Sequence, residues 1–168
     1  MEKIALIGSG GSGKTTLANR LGGKLDIDVW HLDRLLWKPG WEMTSREEQI
    51  KIQSELVKKE KWIIDGNYNG TLDIRLEAAD TIIFLDLSRF LCVYRVLKRM
   101  VKNRNRTRPD MREGCEEKID FRFIKWVWEY PVTKKPNILE KLAHLPEGKA
   151  IVVLGSPSEI EQFLKSIE

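Results

Sequence analysis

The feature that most constrains how this chain can fold is a glycine-rich octapeptide near its start. An apolar run, 3–7, precedes it, and Leu17 and Leu21 follow it at helical spacing. The octapeptide fits the pattern G-x-x-x-x-G-K-[ST], and a second threonine, Thr16, comes directly after it. Because a buried strand and a helix start flank this turn, we predict a loop that binds a nucleoside triphosphate. Its residues are Gly8, Ser9, Gly10, Gly11, Ser12, Gly13, Lys14 and Thr15.

Each residue type in this loop has a defined task in phosphate binding. Glycines let backbone N–H groups converge on phosphate oxygens, and the start of the following helix adds a positive dipole. We expect Lys14 to reach the β- and γ-phosphates and the Thr15 hydroxyl to coordinate Mg²⁺. ATP and Mg²⁺ are therefore the predicted cofactors. The alternative is a glycine turn that matches the pattern by chance.

Apolar runs elsewhere in the chain predict the rest of the fold. Thr44 or Ser45 is expected to cap a helix that runs to about Glu60. Strands that alternate with helices favour an α/β domain with a parallel, doubly wound sheet, and 168 residues suit one domain, 1–168. Besides 3–7, the predicted strands are 28–32, 61–64, 81–85 and 149–154, and further helices are predicted at 90–101 and 158–167.

The segment from 101 to about 135 departs from this alternation and is predicted to be a lid inserted over the ligand edge of the sheet. It begins with a basic stretch and continues as a helix whose apolar stripe is Phe121, Ile124 and Trp128, with Pro131 expected to end it. Arginines in such a lid can approach a triphosphate when the lid closes; a solvated helix end is the alternative for each of them. These arginines are Arg104, Arg106, Arg108 and Arg112.

Two aspartates are candidates for the metal and the acceptor. Asp65 closes a predicted strand, where a carboxylate near the metal is needed, although Asp65-Gly66-Asn67 is also good turn chemistry. Asp33 ends the second predicted strand, where doubly wound folds bind ligands. A helix cap or a surface charge is the alternative for Asp33.

Cations and aromatic residues suggest how the transferring group and the acceptor are held. Arg95 and Arg99 lie one turn apart after the 81–85 strand, so both are expected to face the phosphates, together with Arg108. Tyr68 and Arg75 are predicted acceptor contacts. For Trp37 and Trp41 the alternatives are an aromatic wall and, favoured, core packing beneath a flap. His31 is predicted to be a hydrogen-bonded strand residue and not a metal ligand.

Composition limits the remaining classes of protein. The formal net charge is +4, and the two cysteines, Cys92 and Cys115, have neither disulfide-scaffold nor zinc spacing. No apolar stretch approaches the length of a membrane span, so we expect a soluble, cytoplasmic protein. The clustered cations near 98–112 imply an anionic partner, which is a triphosphate, a nucleic acid or an acidic surface.

Several segments together resemble the nucleoside monophosphate kinases, and among them the adenylate-kinase-related proteins called DNA topology modulation proteins. The resemblance spans nearly the whole chain. It implies a P-loop NTPase fold, with three α/β/α layers around a five-stranded parallel sheet of order 2-3-1-4-5 and an arginine-bearing lid. The segments that carry it are Gly8 to Thr16, His31-Leu32-Asp33 with Trp37, Trp62 to Tyr68, Asp86 with Arg95 and Arg99, and Arg108 to Met111 with Gly114-Cys115.

The chain departs from the adenylate kinases at the acceptor. Their Asp-Gly-Phe-Pro-Arg motif is replaced by Asp65-Gly66-Asn67-Tyr68-Asn69, which lacks the arginine. A chain without that phosphate contact is expected to bind AMP poorly, unless Arg75 takes its place. The leading hypothesis is a Mg-ATP-dependent kinase of a nucleotide or another small acceptor. The alternatives are a nucleotide-binding regulator that contacts DNA or a protein, and a kinase of nucleic-acid ends.

Overall fold

The structure is a computed structural model that describes residues 1–167. None of the helices in this part of the chain is long and apolar enough to cross a membrane. The strands are β1 (Lys3–Gly8), β2 (Val29–His31), β3 (Trp37–Lys38), β4 (Glu42–Met43), β5 (Trp62–Asp65), β6 (Thr81–Leu85) and β7 (Ala150–Leu154). The helices are α1 (Lys14–Leu25), α2 (Leu32–Leu36), α3 (Arg46–Leu56), α4 (Leu72–Ala78), α5 (Arg89–Lys102), α6 (Phe121–Thr133), α7 (Lys135–Ala143) and α8 (Pro157–Ser166).

Five of the strands form one parallel sheet in the order β2-β5-β1-β6-β7. This is the order 2-3-1-4-5 once the short antiparallel hairpin β3–β4 is set aside, so the predicted topology is confirmed. In the register of the sheet, Leu6 pairs with Asp65 and Gly8 pairs with Leu85. The glycine-rich loop therefore leaves the sheet between the ends of β5 and β6.

Strand β1 is buried on both faces, which is why its sequence is continuously apolar. Ile4 and Leu6 point to one side, where they pack with residues of α1, α5 and α8. Ala5 and Ile7 point to the other side, where α2, α3, α4 and α7 supply the partners. Helices thus cover both faces of the sheet, and the predicted three-layer architecture is confirmed.

Two element boundaries differ from the prediction for identifiable reasons. Strand β2 ends at His31, because Leu32 and Leu36 begin a helical turn that buries both leucines. Helix α3 starts at the predicted cap, where Ser45 accepts a hydrogen bond from the Glu48 amide, but it ends at Leu56. The following 57–61 segment is rich in lysine and offers little apolar surface to bury, so the helix does not continue to Glu60.

The predicted end and apolar face of α6 are both wrong. The helix passes through Pro131, since a proline in the last turn removes only the hydrogen bond to the Val127 carbonyl. Phe121 and Trp128 from the predicted stripe are exposed, by 78% and 41%, whereas Val127 and Tyr130 are buried. The buried side is set by packing against the sheet and α5, which the spacing of the aromatic residues does not reveal.

The centre of the sheet should carry most of the packing energy. Ile83 is fully buried in β6, so Ile83→Ala is expected to lower the free energy of unfolding by about 2–5 kcal/mol through the cavity it leaves. Val153, on the edge strand β7, is 48% exposed, and Val153→Ala should cost less than about 1 kcal/mol. Urea unfolding of both variants measures the difference, and equal losses would contradict this placement of the core.

Candidate active site

A cavity of about 1000 Å³ opens at the carboxyl ends of the parallel strands. It is bounded by the glycine-rich loop, the ends of β2 and β5, the β3–β4 hairpin, helix α5 and the 103–120 segment. Gly8, Ser9, Ser12 and Arg75 are not among the lining residues. The predicted site residues that line it are Gly10, Gly11, Gly13, Lys14, Thr15, Thr16, Asp33, Asp65, Tyr68, Arg95, Arg99 and Arg108.

The glycine-rich loop is packed so tightly against α5 that a side chain is excluded at its centre. Gly11 has φ +76°, and a Cβ there would lie 2.3 Å from the Cys92 carbonyl oxygen. The hydroxyls of Ser9 and Ser12 are buried beneath the loop without a hydrogen-bond partner in the described chain. The loop is therefore a backbone cradle with fixed walls, as phosphate binding requires.

Lys14 is the cation of this cradle. Its ammonium group donates a hydrogen bond to the Ser9 carbonyl oxygen at 2.9 Å, so the side chain arches back over the loop. Burial lowers the pKa of Lys14, and the carboxylates of Asp65 and Asp33 oppose that fall. A partly buried cation that lines a cavity is a good receptor for an anionic ligand.

Asp65 holds the start of α1 against the end of β5. Its Oδ2 accepts a hydrogen bond from the Thr15 hydroxyl at 2.8 Å and lies 3.0 Å from His31 Nδ1, whereas its Oδ1 is buried without a hydrogen-bond partner among residues 1–167. The other ring nitrogen of His31 lies 3.1 Å from Asn19 Oδ1, so the histidine is a hydrogen-bonded strand residue, as expected.

The oxygen donors at Thr15 and Asp65 fit Mg²⁺. In proteins this ion is usually held by one or two carboxylates together with substrate phosphates and water. The unpartnered Oδ1 of Asp65 is an oxygen with capacity for one more contact. No group of three or more His, Cys, Asp and Glu side chains in the described chain is arranged to hold a metal by itself.

Arg75 does not face the cavity. It is fully buried, and its guanidinium donates hydrogen bonds to the backbone carbonyl oxygens of Gly66 and Asn67. The Asn67 side chain in turn accepts a hydrogen bond from the Gly8 amide at 3.0 Å. Burial lowers the pKa of Arg75 to about 10, and the Asp65 carboxylate opposes that change. Arg75 therefore fixes the turn after β5, and this placement does not support the predicted acceptor contact.

Asp33 and Tyr68 form a second polar pair within the cavity. The Tyr68 hydroxyl donates to Asp33 Oδ1 at 2.6 Å. Burial and the neighbouring Asp33 carboxylate raise the pKa of Tyr68 far above its ordinary value, so this phenol stays protonated. Tyr68 has φ 38° and ψ 64°, a left-handed conformation that is strained for a bulky residue. Such strain clusters at functional sites.

The arginines converge on the loop and on one buried carboxylate. Arg95 lies 3.4 Å from the Ser12 carbonyl oxygen. Glu117 is 3% exposed; Arg99 approaches its Oε1 at 3.4 Å, and Arg108 approaches its Oε2 at 2.8 Å without good hydrogen-bond alignment. Burial and the neighbouring Arg108 lower the pKa of Arg99, and Glu117 opposes that change. Glu117 was not predicted from the sequence as a site residue. The sequence signal that could have indicated it is the group of acidic residues that follows the basic stretch.

Only one of the four lid arginines is enclosed. Arg108 lines the cavity and is also paired with Asp110 at 3.0 Å. Arg104, Arg106 and Arg112 are exposed and do not line the cavity.

The two tryptophans form a wall of the cavity, so the favoured prediction of core packing is wrong. Trp37 and Trp41 are half-buried, meet edge to face with ring centroids 5.5 Å apart, and both line the cavity. The Trp41 indole N–H donates to the Glu116 carbonyl oxygen at 2.9 Å. The hairpin that carries these rings is thereby fastened to the 103–120 segment.

Comparison with known proteins identifies the fold. No family model and no curated protein matches the chain. Shikimate kinase from Acinetobacter baumannii, solved in complex with shikimate, is similar over 99% of this chain and 90% of its own, with a TM-score of 0.62 and 13% identity. A sugar kinase from Janibacter sp. is similar over 98% and 94%, with a TM-score of 0.51 and 17% identity. The chain has the P-loop kinase fold.

The role given to Arg75 can be tested by stability. Arg75→Met would leave the buried Gly66 carbonyl and the partly buried Asn67 carbonyl without donors, and we expect it to lower the free energy of unfolding by about 2–5 kcal/mol. The matched control is Arg46→Met, because Arg46 is exposed and its contact with the Gly70 carbonyl oxygen is long, at 3.4 Å. Denaturant unfolding measures the stability of both variants. If Arg75→Met loses no more free energy of unfolding than the control does, Arg75 does not fix the turn after β5.

Proposed function

We propose that this chain is a Mg-ATP-dependent phosphotransferase that transfers the γ-phosphoryl group to a small acceptor. The observation that carries the proposal is that one cavity joins a complete phosphate cradle at Lys14 and Thr15 to a separate polar pair, Asp33 and Tyr68. A donor site and a second polar site in one enclosed space suit transfer between two bound molecules. The likeness to shikimate kinase and a sugar kinase supports the same class of reaction.

The donor triphosphate is held by the loop. Backbone amides of the loop and Lys14 bind the phosphate oxygens, and the start of α1 adds its dipole. Thr15 and Asp65 would hold Mg²⁺, which supplies neutralisation of charge on the β- and γ-phosphates when it is bound. Arg95, which lies against the loop, and Arg99 line the same cavity, where they would neutralise negative charge that develops during transfer.

Arg108 of the lid lines the cavity and is paired there with Glu117. Because this buried carboxylate lies between Arg99 of α5 and Arg108 of the lid, it holds two cations together that would otherwise repel each other. A triphosphate beside them offers further oxygens to the same guanidinium groups. Glu117 is therefore proposed as a positioning residue for the arginines.

A second candidate function uses the cations outside the cavity. The exposed Arg104, Arg106 and Arg112 are placed to contact DNA or an acidic protein, as a nucleotide-binding regulator of the topology modulation family would do. This candidate predicts gel-shift binding of duplex DNA that weakens steeply with added salt. If duplex DNA gives no gel shift at low salt, this second candidate function is excluded.

Triphosphate binding should depend on Lys14. Lys14→Ala is expected to weaken binding of a non-hydrolysable ATP analogue at least about 100-fold, because a charge-assisted contact worth several kcal/mol is lost. Titration calorimetry with Mg²⁺ measures the affinity, and circular dichroism checks the fold. Lys24→Ala, at the far end of the same helix, serves as the control. Unchanged affinity in Lys14→Ala would overturn the proposed function.

The Mg²⁺ concentration needed for ATP turnover should depend on Thr15. Thr15→Val keeps the shape of the side chain but removes the hydroxyl that contacts Asp65 and would contact the metal. We expect the Mg²⁺ concentration for half-maximal ATP turnover to rise about tenfold or more. Thr133→Val, on the exposed end of α6, is the control. Identical magnesium titrations for the two variants would count against this metal site.

A further inference from the structure

Building on the proposed kinase function, we propose that the acceptor is a hydroxyl compound that carries no phosphate at this site, and that Asp33 accepts the proton of its attacking hydroxyl. The product would be a phosphate monoester. A nucleoside monophosphate, whose phosphate attacks to give an anhydride, does not suit the same surroundings.

The charge of the cavity on the β2 and β5 side argues for a hydroxyl. This half lies on one side of β1, whereas α5 with its arginines follows β6 on the other side. Its polar groups are the carboxylates of Asp33 and Asp65, the Tyr68 hydroxyl and the side chains of Asn67 and Asn69. A phosphate placed among them would meet two carboxylates, and the cations close to Asp33, which are Lys14 and Arg99, are the ones that would hold the γ-phosphate of the donor. A second phosphate would gain no cation of its own from the ends of β2 and β5, which is unfavourable.

The arginine after β5 is Arg75, but its guanidinium already has hydrogen-bond partners in the backbone. Arg75 is fully buried, and its guanidinium is hydrogen-bonded to the carbonyl oxygens of Gly66 and Asn67. Turning it toward the cavity would leave the buried Gly66 carbonyl and the partly buried Asn67 carbonyl without donors, at a cost of several kcal/mol. A phosphate on the acceptor therefore gains no partner from Arg75.

Asp33 is placed to act on a hydroxyl. The Tyr68 phenol donates to Oδ1 and so leaves Oδ2 available to an acceptor in the cavity. The Asp33 carboxylate is also close enough to Lys14 and Arg99 to oppose the fall in pKa that burial imposes on both cations. It thus lies near the residues that would hold the γ-phosphate, where an attacking oxygen must be.

The chemical step balances with these groups. The acceptor oxygen forms a bond to the γ-phosphorus while the bond from that phosphorus to the β,γ-bridging oxygen breaks. ADP leaves with the electron pair of the broken bond, and the hydroxyl proton passes to Asp33 Oδ2. Trp37 and Trp41 supply flat apolar surface beside this point, which suits the carbon skeleton of a ring compound.

Labelled ATP and two pools of small metabolites test the inference. One pool is an untreated cell extract passed through a size filter. The other is the same extract after phosphatase treatment and removal of the phosphatase, so that its acceptors carry hydroxyl groups without phosphates. Four nucleoside monophosphates, shikimate and a set of sugars serve as defined acceptors, and phosphorus NMR distinguishes monoester from anhydride products.

Transfer from γ-labelled ATP into a monoester in the phosphatase-treated pool is the expected result. Transfer only in the untreated pool, or conversion of a nucleoside monophosphate to its diphosphate, would overturn the inference and leave the kinase function standing. Absence of transfer in every pool, including the defined acceptors, would overturn the kinase function and the inference together.

The role of Asp33 is tested with the acceptor that this assay finds. Asp33→Asn should lower kcat about 100-fold or more and remove the acidic limb of the pH profile, with affinity for the ATP analogue within about threefold of the original chain. Asp33→Glu should restore part of the rate. Asp73→Asn, at an exposed carboxylate paired with Lys141, is the control. An unchanged pH profile in Asp33→Asn would show that Asp33 is not the proton acceptor.

Discussion

The site depends on one constraint, the register of β1 with its two neighbours in the parallel sheet. Leu6 pairs with Asp65 on one side, and Gly8 pairs with Leu85 on the other. The carboxyl ends of these strands consequently meet where the glycine-rich loop begins, and the Thr15 hydroxyl comes within 2.8 Å of the Asp65 carboxylate. A slip in this register would separate the loop from its carboxylate, because side chains alternate between the faces of a strand.

The enclosure of the cavity depends on contacts between segments that are distant in sequence. The β3–β4 hairpin meets the 103–120 segment through Trp41 and Glu116, and through the Gly40 amide, which donates to the Gly114 carbonyl oxygen at 2.9 Å. Glu117 ties the same segment to α5. The tryptophan wall and the arginines of α5 and the lid are thus connected to each other, an arrangement that the proposed phosphoryl transfer would use to exclude water.

The sequence was sufficient for the architecture, because the strand and helix signals are encoded locally. A loop such as Gly8 to Thr15 carries its own strand and helix signals, and the order of the sheet followed from the family resemblance. The side chain of Arg75 could not be placed from sequence, since an arginine after a turn can face either the cavity or the backbone. The pairing of Glu117 with Arg99 and Arg108 likewise depends on tertiary contacts that no residue spacing encodes.

The most direct test of the central claim is a structure of this chain with Mg²⁺ and a non-hydrolysable ATP analogue. The account predicts that the triphosphate is wrapped by the amides of the glycine-rich loop, with Lys14 on its phosphates, Thr15 and Asp65 beside the metal, and the γ-phosphate directed toward Asp33. A triphosphate bound away from this loop, or one whose γ-phosphate points away from Asp33, would contradict it.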